Sequence, residues 1–212
     1  MTANGIIFDL DGTLWDASRE VTTAWNAALA RKPDTKNCQL TVEQMQGLMG
    51  KTMTEIFDFM LPSAGKERRA EIAQECCREE NRYLQSHGAR LFPQVAETLE
   101  TLSRSYRLFI VSNCQNGYIE AFLGYYGFGA FFTDTECFGR TGKNKGDNIR
   151  ILLERNPLEK AVYVGDTQID LESAEYAGLP FLHAAYGYGR IEKAVRSIRT
   201  FSELTSAVPE MI

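Results

Sequence analysis

The chain of 212 residues has little of what marks a secreted, membrane-bound or zinc-thiolate protein. Cysteines number five, an odd count with no C-x-x-C spacing among Cys38, Cys76, Cys77, Cys114 and Cys137. Cys76 and Cys77 adjoin inside a predicted helix, a poor geometry for pairing with each other. All five are expected as reduced thiols in a cytoplasmic protein. There are two histidines, His87 and His183, too few and too far apart for zinc. No run approaches the ~18 apolar residues that span a bilayer. Met1-Thr2-Ala3-Asn4-Gly5 lacks the basic and apolar regions of a signal peptide, so no membrane and no export is expected. A basic surplus is also missing. The net charge is −5, and no stretch interleaves Lys and Arg with aromatics. Nucleic acid is therefore not an expected partner.

What is present suits a soluble globular chain: 44% apolar and 24% charged residues. Gly5-Ile6-Ile7-Phe8, Leu108-Phe109-Ile110-Val111 and Ala161-Val162-Tyr163-Val164 read as buried parallel strands, with a weaker one at Pro180-Phe181-Leu182. Helical patterns fall between them, at about 93–104, 116–126, 146–155 and 168–177. That alternation predicts an α/β fold with a doubly wound, Rossmann-like parallel sheet.

Residues 16–89 differ, with no convincing strand. Thr41-Val42-Glu43-Gln44 and Thr52-Met53-Thr54-Glu55 read as capping boxes. A long helix over 66–87 places Ile72, Cys76 and Tyr83 on one face with Ala73, Cys77 and Leu84. The block is expected to be an inserted all-helical cap (16–89) on a core built from 1–15 and 90–212. The aromatic cluster Tyr125, Tyr126, Phe128, Phe131 and Phe132 is expected to be core packing.

Four features fall at the C-terminal ends of the predicted strands, the edge where open α/β sheets bind ligands. Asp9-Leu10-Asp11-Gly12-Thr13 follows the first strand. One carboxylate there can attack phosphorus, and the other can serve as acid and then base. Gly12 allows a sharp turn, and Thr13 offers a hydroxyl and an N–H to phosphate. Without chemistry, the same residues make an Asx-rich turn. Ser112-Asn113, after the second long strand, can hold a phosphate oxygen, although Ser-Asn is also ordinary loop sequence. Lys143 and Lys145 lie in a loop before a helix, where an ammonium can offset phosphoryl charge. Both fit; Lys145 is preferred because it immediately precedes the helix. Asp166, after the strand at 161–164, can bind Mg²⁺ directly. Asp170 can bind it through water, orient Lys145, or simply complement a helix dipole. Cys114, His183 and the loop Tyr186–Arg190 carry no signal that marks them as catalytic.

Taken together, Phe8-Asp9-Leu10-Asp11-Gly12-Thr13-Leu14, Val111-Ser112-Asn113, Lys145 and Val164-Gly165-Asp166-Thr167 with Asp170 resemble the four motifs of the haloacid-dehalogenase-like superfamily. The subgroup most similar is that of the phosphoglycolate phosphatases and related small-phosphate phosphatases. The resemblance implies a Mg²⁺-dependent phosphomonoester hydrolase acting on a small phosphorylated metabolite. In it Asp9 is the nucleophile and Asp11 the acid and base. Asp9, the backbone carbonyl of Asp11 and Asp166 hold the metal, while Ser112 and Lys145 bind the phosphoryl group. It further implies that the cap loop Met49-Gly50-Lys51-Thr52 faces the core across the cleft. There Lys51 is expected to meet an anionic leaving group. A phosphomutase of the same superfamily would share the motifs, and a non-enzymatic binding protein on this scaffold need not keep a nucleophile. The sequence leaves the oligomeric state open, as a monomer or weak dimer.

Overall fold

In the computed structural model, residues 3–212 are described; Met1 and Thr2, within the stretch read for export, lie outside them. The first strand, β1 (Gly5–Phe8), is followed by a short β2 (Trp15–Asp16). Four helices come next: α1 (Ser18–Ala30), α2 (Val42–Gln46), α3 (Met53–Met60) and α4 (Lys66–His87). The chain returns through β3 (Arg90–Leu91). It then alternates α5 (Val95–Ser103), β4 (Arg107–Ser112), α6 (Tyr118–Tyr126), β5 (Phe132–Cys137), α7 (Phe138–Thr141), α8 (Lys145–Arg155), β6 (Ala161–Gly165), α9 (Gln168–Tyr176), β7 (Phe181–Ala184), β8 (Ser197–Ile198) and α10 (Leu204–Ala207).

Six strands form one sheet in the order β5-β4-β1-β6-β7-β8, with every pairing parallel. The apolar runs β1, β4 and β6 occupy its centre, where both faces are covered, so they carry almost no polar residue. The fold is the expected doubly wound α/β core with an inserted helical cap. Both predicted capping boxes form: Thr41 Oγ1 accepts from Gln44 N, and Thr52 Oγ1 from Glu55 N.

Three expectations need correction. A strand at 132–137 was not anticipated. It lies at the sheet edge, and its sequence is polar because Asp134 and Glu136 take ion pairs from Arg155, at 3.1 and 2.7 Å. The aromatic cluster is not uniformly core: Phe128 is buried, whereas Tyr125 is 45% exposed. Lastly, the insert is entered and left through a two-stranded ribbon. Trp15 pairs with Leu91 and Asp16 with Arg90, so the two connections run side by side.

Candidate active site

Strand register assembles the site. Phe8 lies level with Ile110 of β4 and Val164 of β6. The residues at or just past the ends of these central strands, Asp9, Ser112 and Asp166, therefore emerge beside one another at one edge.

After β1 the chain turns at once. Leu14 N donates to the Leu10 carbonyl at 2.8 Å, and Gly12 adopts a φ of 80°. A Cβ on Gly12 would stand 2.3 Å from Asp166 Oδ2, so this close approach of backbone to carboxylate requires glycine. Thr13 follows in the same turn. It is fully buried, and its N–H closes the turn onto the Leu10 carbonyl at 3.3 Å. Asp166 Oδ2 is fixed by the backbone N–H groups of Tyr188 (2.7 Å) and Gly189 (3.2 Å). The loop reaches that close through Gly187, where a Cβ would meet the Gly12 carbonyl at 2.4 Å. This role for the 186–189 loop was missed; its signal is the alternation of glycine with tyrosine.

The two loop lysines separate cleanly. Lys143 is exposed. Lys145 is 1% exposed, and its Nζ lies 3.0 Å from Asp9 Oδ1 and 2.6 Å from Asp170 Oδ1. It opens α8, whose first turn is capped by Asn144 accepting from Asp147 N at 2.9 Å. Burial disfavours the ammonium, but Asp170 and Asp9 outweigh it and raise its pKa. Asp170 is fully engaged. Oδ1 also accepts from the Tyr163 hydroxyl, and Oδ2 accepts from Thr167 N and Oγ1 in a third capping box.

The remaining carboxylates are strained electrostatically. Burial, then Asp170, push Asp9 up to about 6, with Lys145 pulling the other way. Burial pushes Asp11 up to about 7, although the Tyr118 hydroxyl donates to its Oδ1 at 2.7 Å. Burial, then Asp170 and Asp9, raise Asp166 well above the usual carboxylate range. Such groups call for a cation. Asp9, Asp166 and Asp170 each offer an oxygen within 4.8 Å of the others. Among the described residues, Asp9 Oδ2 and Asp166 Oδ1 are buried without a hydrogen-bond donor. All-oxygen donors left unpaired by the protein fit a hard divalent cation such as Mg²⁺. The Asp11 carboxylate stands outside this cluster.

A narrow cleft of about 30 Å³ lies between this edge and the helical insert. Asp9, Asp11, Ser112 and Asn113 line it from the core, and Gly50, Lys51 and Glu80 from the insert. Lys51 is exposed at this wall. The Asn113 side chain bridges the two parts, with Nδ2 donating to the Gly50 carbonyl at 2.9 Å. Cys114 borders the cleft too, but burial raises its thiol pKa well above normal, away from thiolate chemistry. Glu80 was overlooked as a cleft residue. Its signal was present: residues 72, 76, 80 and 84 fall at i+4 steps on the buried face of α4.

Comparison with known proteins agrees with this architecture. The family model for haloacid dehalogenase-like hydrolases matches residues 6–184. A 5'-nucleotidase of Pseudomonas aeruginosa is 28% identical, over 87% of this chain and 83% of that protein. The plasmid phosphoglycolate phosphatase of Cupriavidus necator is 25% identical, over 89% and 83%. A crystal structure from Bacteroides fragilis, described as a haloacid dehalogenase-like hydrolase, superposes with a TM-score of 0.81 at 24% identity, over 96% of this chain and 100% of that one. With nearly the whole sheet and the candidate site's edge inside the matched span, the chain belongs to the haloacid dehalogenase-like hydrolase family.

Proposed function

We propose that this hydrolase is a Mg²⁺-dependent phosphatase that cleaves a small phosphomonoester through an aspartyl phosphate on Asp9. One observation carries the reading. Asp9 Oδ1 lies against Lys145, while Oδ2 has no hydrogen-bond partner among the described residues, and Asp9 shares the cleft with Asp11. The relatives' names, a 5'-nucleotidase and a phosphoglycolate phosphatase, both denote enzymes of phosphate esters.

In this reading Asp9 Oδ2 attacks phosphorus in line, and the bond from phosphorus to the leaving oxygen breaks. Asp11, still protonated near neutral pH because burial lifts it to about 7, passes its proton to that oxygen. The Tyr118 hydroxyl aims the Asp11 carboxyl. Asp11 then takes a proton from water, whose oxygen attacks phosphorus and frees Asp9. Asp9, Asp166 and the Asp11 backbone carbonyl would hold Mg²⁺, which supplies positive charge to the phosphoryl oxygens. Asp170, with both oxygens already hydrogen-bonded, acts by positioning Lys145 rather than as a direct ligand. Ser112 and the Asn113 backbone N–H hold a phosphoryl oxygen, and Lys51 meets whatever part of the substrate projects from the cleft.

The cap is taken as 16–89 and the core as 1–15 with 90–212, the β2–β3 ribbon serving as the hinge. No helix among the described residues is long and apolar enough to cross a membrane, and the five free cysteines suit a reducing, cytoplasmic setting.

Turnover of an aryl phosphate that requires Mg²⁺ tests the reading; its absence would refute it. The lysines give a sharper check. Lys145→Ala should lower kcat by about 10²–10³, as for loss of an oriented charge at a transition state. Lys143→Ala should stay within about twofold of the parent enzyme, because that side chain stands in solvent. Steady-state kinetics on both variants decides the assignment, and a reversed ranking would move the role to Lys143.

A further inference from the structure

The cleft wall beyond the reacting carboxylates is short of hydrogen-bond donors. Lys51 and Ser112 apart, its polar side chains with donors each commit an N–H or O–H to a protein acceptor, although the two amides keep a second N–H. The Tyr118 hydroxyl donates to Asp11 Oδ1 (2.7 Å), Trp25 Nε1 to Glu80 Oε2 (2.8 Å), Asn113 Nδ2 to the Gly50 carbonyl (2.9 Å) and Gln115 Nε2 to Asn81 Oδ1 (3.0 Å). The amide orientations are fixed by these partners. Asn81 Nδ2 donates to the Asn116 carbonyl at 2.9 Å, which leaves Asn81 Oδ1 as an acceptor for Gln115. Acceptors, by contrast, are left over. Gln115 Oε1 and Asn113 Oδ1 are buried with no donor among the described residues, and Gln115 as a whole is only 8% exposed. A buried acceptor left unpaired costs about 1–3 kcal/mol.

Glu80 lies in the same wall, with Oε2 accepting from Trp25. It is 3% exposed, yet no Lys or Arg among the described residues forms an ion pair with it. Buried carboxylates are rarely left without a cation. Burial pushes Glu80 up to about 8; the Trp25 donor pulls it down, and Asp11 raises it further. A donor or cation placed beside it would favour its charged form. A second anion placed beside it would hold it in its neutral form. A purely structural Glu80, holding Trp25 in place, would account for Oε2 but not for the two unpaired amide oxygens. Lys51, the one basic side chain lining this wall among the described residues, is exposed.

We infer that the leaving group accepted here carries hydrogen-bond donors, a hydroxyl or an ammonium, and that Glu80 and Gln115 select it against small leaving groups bearing a second anion. This rests on the phosphatase reading above. It also separates the chain's selectivity from that in the name of the phosphoglycolate phosphatase it resembles, which at 25% identity need not share a cap surface.

The test measures kcat/KM with Mg²⁺ on four small esters: methyl phosphate, ethanolamine phosphate, glycerol 1-phosphate and phosphoglycolate. The better of the ethanolamine and glycerol esters should exceed phosphoglycolate by about tenfold or more, since a site built to bond a donor rejects analogues that lack it. Which of those two leads tells ammonium from hydroxyl. Glu80→Gln keeps an acceptor for Trp25 and removes the acid. It should shift the ratio of phosphoglycolate to glycerol 1-phosphate upward by about tenfold. Gln115→Met keeps length and removes the acceptor. It should lower the donor-bearing esters against methyl phosphate by a similar factor, and it decides the matter alone if Glu80→Gln fails to fold. Phosphoglycolate turned over as well as the donor-bearing esters, or variants that scale all four esters equally, would overturn the inference while leaving the phosphatase reading intact. No turnover of any ester would refute that reading, and the inference with it.

Discussion

Asp9→Asn is expected to lower kcat by roughly 10⁴-fold or more, as for removal of a covalent nucleophile, in a protein that still unfolds cooperatively. An amide nitrogen or oxygen is a poor nucleophile towards phosphorus. The neighbouring carboxylates are held in other contacts: Asp166 through Oδ2 by Tyr188 and Gly189, Asp170 through both oxygens, and Asp11 through Oδ1 by Tyr118. The fold should tolerate the change. Asn has the same shape, and Lys145 keeps Asp170 at 2.6 Å. The sign of the electrostatics points the same way. The Asp9 carboxyl is raised from 3.8 to about 6, so its contribution to stability is present below its unfolded value and lost as pH rises through about 6. Above that pH, a neutral Asn removes a buried charge that opposes folding. Kinetics should be read beside a thermal melt and a mass spectrum that excludes deamidation to Asp. Retention of a tenth of the parent rate in such protein would remove Asp9 as the nucleophile.

Much of this centre was legible in the sequence because its parts are local. A buried strand announces itself as an apolar run, and the residue that follows it is fixed at the sheet edge. Asp9, Ser112 and Asp166 could therefore be placed without knowing any contact. Lys145 was preferred on its position before a helix; its buried contacts with Asp9 and Asp170 depend on α8 packing beside α9. What stayed hidden depends on distant partners. Glu80 looks like one more charge on a wet helix until Trp25, 55 residues earlier in the chain, is seen to donate to it. Tyr118 falls within a predicted helix, and only the fold brings its hydroxyl to Asp11, 107 residues away. The edge strand Phe132–Cys137 was missed because its stabilising contacts are ion pairs, which erase the apolar signature. Thr13 shows how much depends on the local turn. Its motif position suggested phosphate contact, whereas the local turn uses its N–H and burial encloses its hydroxyl.

Chelation should abolish turnover, and Mg²⁺ should restore it and also stabilise the folded chain. The effect on stability is measurable without substrate. Asp9 and Asp166 hold oxygens with no donor and carboxyls raised by burial. A cation that binds only the folded state adds about 2.7 kcal/mol at 100 times its Kd. For a domain of this size that raises Tm by roughly 5–10 °C. The rise should shrink from pH 7.5 to pH 5, because protons compete for carboxylates whose pKa values burial has lifted towards neutrality. Asp166→Asn isolates the ligand. Its side-chain oxygen can still accept from Tyr188 and Gly189, so the loop stays in place, but the other atom becomes an amide nitrogen that cannot ligate Mg²⁺. The variant should melt within about 2 °C of the parent without metal, gain little from Mg²⁺, and lose most of its activity at ordinary Mg²⁺ concentrations. A parent protein whose Tm ignores Mg²⁺, or an Asp166→Asn protein that responds as fully as the parent, would place the metal elsewhere.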